Sequence, residues 1–267
     1  MDDSTYARLQ DQLQRLLGLD LTAYKQQQMR RRITTFVQRE AGGDTSAFLM
    51  QLQKDAALLA ATRDMLTINV TDFFRDESQW DLLARDILPA LTVGRRGLRV
   101  WSAGCSRGQE PLSLAIALDR AGVLASSRIL ATDFDREVLA KAKLGGPYSR
   151  EEMRGVPPAD LATYFHETPA GMTATRRLLG PIRFAEVNLL RDQFERSFDL
   201  IVCRNVMIYF ENHVKSDLVR RFREALAPEG LLFIGATEAL LGSDLAGFQR
   251  VGGNFYRRVS EHRQNVA

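Results

Sequence analysis

Apolar residues in the N-terminal quarter of the chain recur at helical spacing. Between Tyr6 and Leu17, Leu9, Leu13, Leu16 and Leu17 fall on one helical face. A second helix is predicted from about Leu21 to Arg39, with Met29, Ile33, Phe36 and Val37 as its apolar face. That register points Arg31 almost opposite the core and sets Arg30 and Arg32 on the flanks. Gly42-Gly43 ends this helix, and Asp44 or Thr45 can cap a third one bearing Phe48, Leu49 and Leu52. A fourth apolar segment leads to Leu66.

From about Leu98 the period changes. Leu98–Ser102, Arg128–Thr132, Ile182–Asn188, Phe198–Val202 and Gly230–Gly235 read as strands, with helical stretches such as Pro111–Leu118 and Val214–Leu226 between most of them. That alternation predicts an α/β fold with a doubly wound parallel sheet. Phe248–Val251 and Asn254–Val259, separated by Gly252-Gly253, predict an antiparallel hairpin at the sheet edge. Residues 145–181 are rich in Pro and Gly and read as an insertion, in which Thr173–Leu179 is a candidate short strand.

Composition narrows the function classes. The 267 residues are 45% hydrophobic, enough for a sizeable core, with no apolar run near the roughly 18–20 residues a bilayer span needs. The acidic start Met1-Asp2-Asp3 is unlike a signal peptide, so the expectation is a cytoplasmic protein without direct membrane insertion. Cys105 and Cys203 have neither disulfide-framework nor zinc spacing, and His166, His213 and His262 are scattered, so no metal is expected. A net charge of +3 is too mild for a dedicated nucleic-acid binder. Within residues 1–90 the basic character is concentrated in Arg30-Arg31-Arg32.

Candidate chemistry begins where the first strand ends. Trp101-Ser102-Ala103-Gly104-Cys105-Ser106-Arg107-Gly108-Gln109-Glu110-Pro111 is a strand-to-helix turn whose glycines permit close backbone approach to a ligand. It lacks a full G-x-G-x-x-G, so a dinucleotide is not favoured, and an ordinary βα turn also explains two glycines. Asp133, ending the next strand, suits a ribose diol. Its competing role is a helix N-cap, for which Asp135 is the better candidate. Asn188, ending the third strand, can meet a base edge or simply make a turn. Polar groups at consecutive strand ends converge on one crevice in such sheets.

Two further blocks, Asn69-Val70-Thr71-Asp72-Phe73-Phe74-Arg75 and Phe198-Asp199-Leu200-Ile201-Val202-Cys203-Arg204-Asn205-Val206-Met207-Ile208-Tyr209-Phe210, make the pattern specific. Together with Trp101–Pro111, in this order, the chain resembles the CheR-type chemotaxis protein methyltransferases over nearly its whole length. The resemblance implies a small all-helical N-terminal domain over 1–68, then a linker and connecting helix over 69–90. A Rossmann-like class I methyltransferase domain would follow over 91–267, with a small antiparallel β insertion at about 165–186. It implies S-adenosyl-L-methionine as cofactor, S-adenosyl-L-homocysteine as product, and glutamates on the cytoplasmic helical bundle of chemoreceptors as substrate. By the same resemblance Asn69, Thr71, Arg75, Glu110, Asp133, Asn188, Leu189, Arg204 and Asn205 border the cofactor, and Arg75 and Tyr209 lie close to the reacting centre. Phe73, Phe74 and Val206 are expected in the core; Tyr209 as a core aromatic and Arg75 as a surface ion pair are the competing roles.

The chemistry fits. A glutamate carboxylate, with a reference pKa of about 4.3, is already ionised at neutral pH and needs no general base. No histidine falls inside a signature block, and neither a Pro-Cys nucleophile nor an N/D-P-P-Y/F loop is present. Arg30, Arg31 and Arg32 would lie along an acidic receptor helix, or be a solvated face. In some family members the insertion grips a receptor C-terminal peptide by adding a strand. Met172–Glu186 supplies material for that hairpin, but the connection from Tyr164-Phe165 to Val187-Asn188 is short, which points to direct recognition of the methylation region. Nothing demands more than a monomer. A methyltransferase for another carboxylate, or a non-enzymatic module binding S-adenosylmethionine, are the alternatives.

Overall fold

The N-terminal leucine stripe folds into α1, Asp3–Leu17, capped by the Asp2 carboxylate and ended by Gly18 at φ 71°. Leu9 and Leu13 are fully buried, whereas Leu16 is half-buried at the margin of the stripe. The second helix begins later than its apolar spacing suggests. Leu21–Ala23 is a single 3-10 turn, Tyr24 is extended, and α2 runs from Gln26 to Ala41. Tertiary pairing explains the break: Tyr24 bridges Phe210 antiparallel, Lys25 N–H donates to the Tyr209 carbonyl at 2.9 Å, and Glu211 N–H donates to the Ala23 carbonyl at 2.9 Å. Helices α3, Thr45–Leu52, and α4, Ala56–Thr67, start on Asp44 and Asp55, each of which accepts N–H groups of its first turn.

The computed structural model describes residues 1–259, in two compact units. The helical unit is Met1–Asn69 together with Tyr209–Val214; the second unit is Val70–Ile208 and the chain from Lys215 onward. In the helical unit Met29, Ile33, Phe36 and Val37 of α2 and Phe48 and Leu49 of α3 are buried, with Phe36 and Phe48 edge to face at 6.0 Å. Segment 209–214 is thus remote in sequence from the helices it packs with.

The second unit opens with α5 (Glu77–Leu82), a π-helical turn (Leu83–Ile87) and α6 (Leu88–Thr92). It continues with β1 (Arg99–Ala103), α7 (Gln109–Arg120), β2 (Arg128–Asp133) and α8 (Arg136–Leu144). Next come α9 (Pro158–Tyr164), β3 (Phe165–Thr168), β4 (Gly171–Ala174), α10 (Arg176–Leu179), β5 (Ile182–Glu186) and β6 (Phe198–Cys203). The last elements are α11 (Asn212–Ala225, whose first three residues belong to the helical unit), β7 (Leu226–Ile234), β8 (Phe248–Gly252) and β9 (Phe255–Arg258). The main sheet has the order β5-β2-β1-β6-β7-β9-β8; β5 to β7 are parallel and β9 and β8 are antiparallel at one edge. Topology reverses between β1 and β6, so their carboxyl ends frame a crevice.

Both faces of the sheet are buried. Val100, Leu200, Val202, Leu231 and Phe233 belong to the cluster under α5–α7, while the alternating residues Trp101, Ile201 and Leu232 are buried on the other face. There Trp101 packs against Phe194, Phe198 and Phe222 at centroid distances of 4.7, 5.3 and 5.4 Å, and its indole N–H donates to Thr132 Oγ1 at 2.8 Å.

The insertion differs from the expected hairpin of Met172–Glu186. Its two-stranded sheet is β3 with β4, residues 165–174. Only Thr173-Ala174 of the candidate strand Thr173–Leu179 lies in a strand; Thr175 is an extended cap, Arg176–Leu179 is a helical turn that buries Leu178, and Ile182–Glu186 is the outer strand of the main sheet, parallel to β2. Tyr148 exchanges two backbone hydrogen bonds with Met172, each 2.8 Å, closing the outer edge of β4.

Phe222→Ala should empty the centre of the Trp101 cluster and cost about 3–5 kcal/mol, read as a lowered urea midpoint at unchanged m-value.

Candidate active site

The turn after β1 is shaped by backbone conformations that few residues tolerate. Gly104 has φ 85°, and a Cβ there would lie 2.6 Å from Val206 Cγ2. Its N–H and that of Cys105 both donate to the Thr132 carbonyl at 2.8 Å, tying the turn to the end of β2. Ser106 is left-handed at φ 48°, a strained setting for a side-chain-bearing residue. Ser106 N–H donates to Asp133 Oδ2 at 2.8 Å, and Asp135 N–H to Asp133 Oδ1 at 3.0 Å. The helix cap falls to Asp135, which accepts Glu137 and Val138 N–H, so Asp133 is not spent on it.

Glu110, in the first turn of α7, is buried and accepts the Ser102 hydroxyl at 2.7 Å. Arg204 Nη1 stands 3.9 Å from its other oxygen. Arg204 Nη2 donates to the Arg75 carbonyl and to Asp76 Oδ2, both at 2.6 Å, and the guanidinium lies over Trp80 and Phe233. Phe74 and Asp76 are left-handed, at φ 50° and 60°, so the linker coils around this guanidinium. Arg75 is half-buried, its Nη1 donating to the Val70 carbonyl at 3.3 Å, and its charge lies close enough to draw the Glu110 carboxyl down. Phe73 is core, edge to face with Tyr148 and Phe165.

The residues singled out in the sequence fall as follows. Arg75, Glu110 and Arg204 form one connected group joined through the Arg204 guanidinium, which also meets Asp76; Asp133 sits at the glycine turn, and Asn205 follows Arg204 in a left-handed conformation, φ 58°. Thr71 is half-buried in the linker. Asn188 makes a turn: its Oδ1 accepts Leu190 N–H at 2.9 Å, while its own N–H donates to Asp192 at 2.8 Å. Its amide Nδ2 is the group left to address a ligand. Leu189 is buried, and its carbonyl accepts from Arg221. Asn69 and Tyr209 belong to the helical unit, Asn69 donating to Thr67 Oγ1 at 2.9 Å. Arg30 pairs with Asp3 at 2.6 Å, Arg32 donates to the Met65 carbonyl, and Arg31 is exposed. His262 lies outside the described residues.

Sequence reasoning misses Asp76, Ser102 and Glu238. The signal for Glu238 is position: an acidic residue in the turn after an apolar buried strand, where parallel sheets gather their ligands.

The donor set suits an S-adenosyl compound. Gly104 leaves room where a side chain would close the turn, and Ser106 Oγ and Gln109 Oε1 are buried without partners among the described residues. A carboxylate at the end of β2 suits a diol, and the buried carboxylate of Glu110 suits an ammonium group. Burial pushes the Asp133 carboxyl above the usual carboxylate range, against the pull of its backbone N–H donors; burial raises Glu110 likewise, opposed by Arg204.

Two family models match the chain: the CheR methyltransferase SAM-binding domain over residues 69–256 and the CheR methyltransferase all-alpha domain over residues 4–67. The chain is 40% identical to a chemotaxis protein methyltransferase of Listeria monocytogenes, over 91% of this chain and 93% of the relative. It is 33% identical to chemotaxis protein methyltransferase 1 of Pseudomonas aeruginosa, over 85% of this chain and 87% of that one. It is 34% identical to the chemotaxis protein methyltransferase of Escherichia coli, over 89% and 85% respectively.

A ligand diol needs Asp133 ionised. Because its folded pKa is raised, affinity for S-adenosylhomocysteine should fall as the pH is lowered, starting above the ordinary carboxylate range. Titration calorimetry across mildly acidic pH reads this; Asp133→Asn should bind at least about tenfold more weakly at neutral pH, with a flatter profile.

Proposed function

The chain belongs to the CheR methyltransferase family, and from that membership we propose that it esterifies glutamate side chains on the cytoplasmic helical bundle of chemoreceptors. It is an S-adenosylmethionine-dependent methyltransferase; the substrate is the part proposed. The observation that carries the reading is the makeup of the crevice: Asp133, Arg204 and Asn205 stand at strand ends and Glu110 in the first turn of α7, with Arg75 braced beside them. His166 and His213 lie instead in β3 and α11. A site with no histidine among the described residues suits a nucleophile that arrives already ionised.

When bound, the cofactor supplies a methyl group on a positively charged sulfur. Glu110 and Asp133 would hold it, and an already ionised carboxylate would take that methyl group without any proton transfer by the protein. Charge is neutralised rather than created, so positioning and exclusion of water carry most of the effect, about 7–11 kcal/mol at best for two well-oriented reactants. Arg75 and Tyr209 take the orienting role. Arg75 acts from the edge, because a full ion pair would blunt the carboxylate it holds.

Recognition falls on α2. Arg30 and Arg31 line a groove of about 990 Å³ with Asp3, Gln26, Gln27, Thr34 and Thr35; Asp3 is taken up by Arg30, and the remaining donors suit a helix rich in Glu and Gln. Arg31 is the arginine most available to a partner, since Arg30 is paired and Arg32 half-buried. The closed outer edge of β4 supports direct recognition of the methylation region rather than strand addition there.

The test is transfer of a radiolabelled methyl group to receptor cytoplasmic fragments. Base-labile label released as methanol, and lost when receptor Glu is replaced by Ala, is the expected result. Transfer to a different acid, or binding without transfer, would move the assignment to another substrate or to a regulatory module. Arg75→Lys should lower kcat about tenfold or more, since an ammonium cannot reproduce guanidinium geometry; unchanged turnover would remove its orienting role. Arg31→Glu should raise KM for receptor with little change in kcat, whereas Arg32→Glu should chiefly destabilise the helical unit; an equal loss in KM and kcat for Arg31→Glu would count against docking.

A further inference from the structure

Just past β7, Gly235-Ala236-Thr237-Glu238 turns back toward the end of β6. Glu238 is 5% exposed, yet no Lys or Arg side chain pairs with it among the described residues. Backbone N–H groups meet its charge instead. Oε2 accepts Gly235 N–H at 2.6 Å and Asn205 N–H at 3.0 Å, and Oε1 accepts Ile208 N–H at 3.1 Å. Burial raises its carboxyl above the usual range while these donors pull it down.

The arrangement is over-determined. A Cβ on Gly235 would lie 2.7 Å from Glu238 Oε2 and 2.8 Å from Asn205 N, so only glycine permits the approach. Asn254 Nδ2 donates to the carbonyls of both Gly235 and Glu238, at 2.7 and 2.8 Å, and Asn254 N–H donates to Gln79 Oε1 at 3.0 Å. Asn tolerates the left-handed region better than most side-chain-bearing residues, yet it still needs its backbone groups met there. At Asn205, with φ 58°, Glu238 meets the backbone N–H.

We propose that Glu238 is a positioning residue for methyl transfer: by holding the N–H groups of Asn205 and Ile208 it fixes the loop that presents Arg204 and Asn205 to the cofactor and leads directly into Tyr209. This rests on the reading of the strand-end crevice as the cofactor site. Glu238 touches no reacting atom and acts through the backbone of its neighbours. Replacing one carboxylate oxygen by an amide NH2 turns an N–H donor against another donor, which frees the loop without emptying the pocket.

The test uses the full chain. Glu238→Gln should weaken S-adenosylhomocysteine binding about tenfold or more by calorimetry, with circular dichroism unchanged, and should lower kcat with receptor fragments. Glu238→Asp, which keeps the charge but shortens the reach, should recover part of the affinity. Gly235→Ala keeps Glu238 and displaces it, and should reproduce the loss; should Glu238→Gln fail to fold, this variant decides. A purely structural Glu238 would lower the Tm of these variants and leave Kd and kcat per folded molecule within about twofold of the native chain, which would overturn the proposal. Calorimetry separates the two readings. Tight product binding without receptor methylation would sink the substrate assignment and leave this test intact, while a native chain that binds no S-adenosylhomocysteine would remove the cofactor site and this proposal with it.

Discussion

With its side chain 3% exposed, the Arg204 guanidinium must have its charge met inside the protein. It reaches the Arg75 carbonyl and Asp76 from the linker, stands near Glu110 from α7, and rests on the faces of Trp80 and Phe233. Removing one partner from such a buried arrangement costs about 3–5 kcal/mol, because the remaining charge is stranded. These contacts tie the linker, α7 and the end of β6 to one guanidinium, whose buried Nε keeps no hydrogen-bond partner among the described residues. That arrangement places Arg75 beside the strand ends and gives Phe74 and Asp76 their left-handed backbones. Glu238 is the matching device on the other side of the loop, with backbone dipoles in place of side-chain partners.

Buried parallel strands are readable because they are short apolar runs bounded by turns, so the ends of β1, β2 and β6 are legible to within a residue or two. Asp133 is legible from its place at a strand end, whereas the roles assigned to Glu110 and Arg204 rest on resemblance, which carries identities of residues but not their partners. Nothing in the sequence says that Arg204 spends Nη2 on a carbonyl of the linker, or that Asn188 gives its oxygen to a turn. Glu238 escaped because its partners are main-chain N–H groups, which leave no trace in residue type. Tyr24 interrupts a helical pattern for a pairing nearly two hundred positions away in the chain, and local periodicity cannot register that. The stretch Thr173–Leu179 misleads for the opposite reason: β-branched and apolar residues in a short run suit a strand or a helical turn, and burial of Leu178 decides.

Arginines illustrate how one residue type serves different ends in a single helix. Arg30, Arg31 and Arg32 are indistinguishable by charge, yet α2 turns them by 100° steps. One meets Asp3, one faces water, and one tucks against the carbonyl of Met65 with its Nε buried. Only an exposed guanidinium can exchange water for a partner's carboxylate without first breaking an internal contact. A basic cluster counted by sequence thus overstates the charge on offer.

The segment Tyr209–Val214 gives the helical unit a piece of chain that is not continuous with the rest of it. Phe210 is 6% exposed, its ring 5.1 Å from that of Tyr24, and its neighbours on either side bond to the backbone of Ala23 and Lys25. The boundary near residue 69 is consequently not a place where the protein can be cut into two self-sufficient halves. Dissecting it there would strand Phe210 in solvent and leave the first four helices without the strand-like rung that ends their polypeptide break, so the two pieces would be complementing fragments rather than modules.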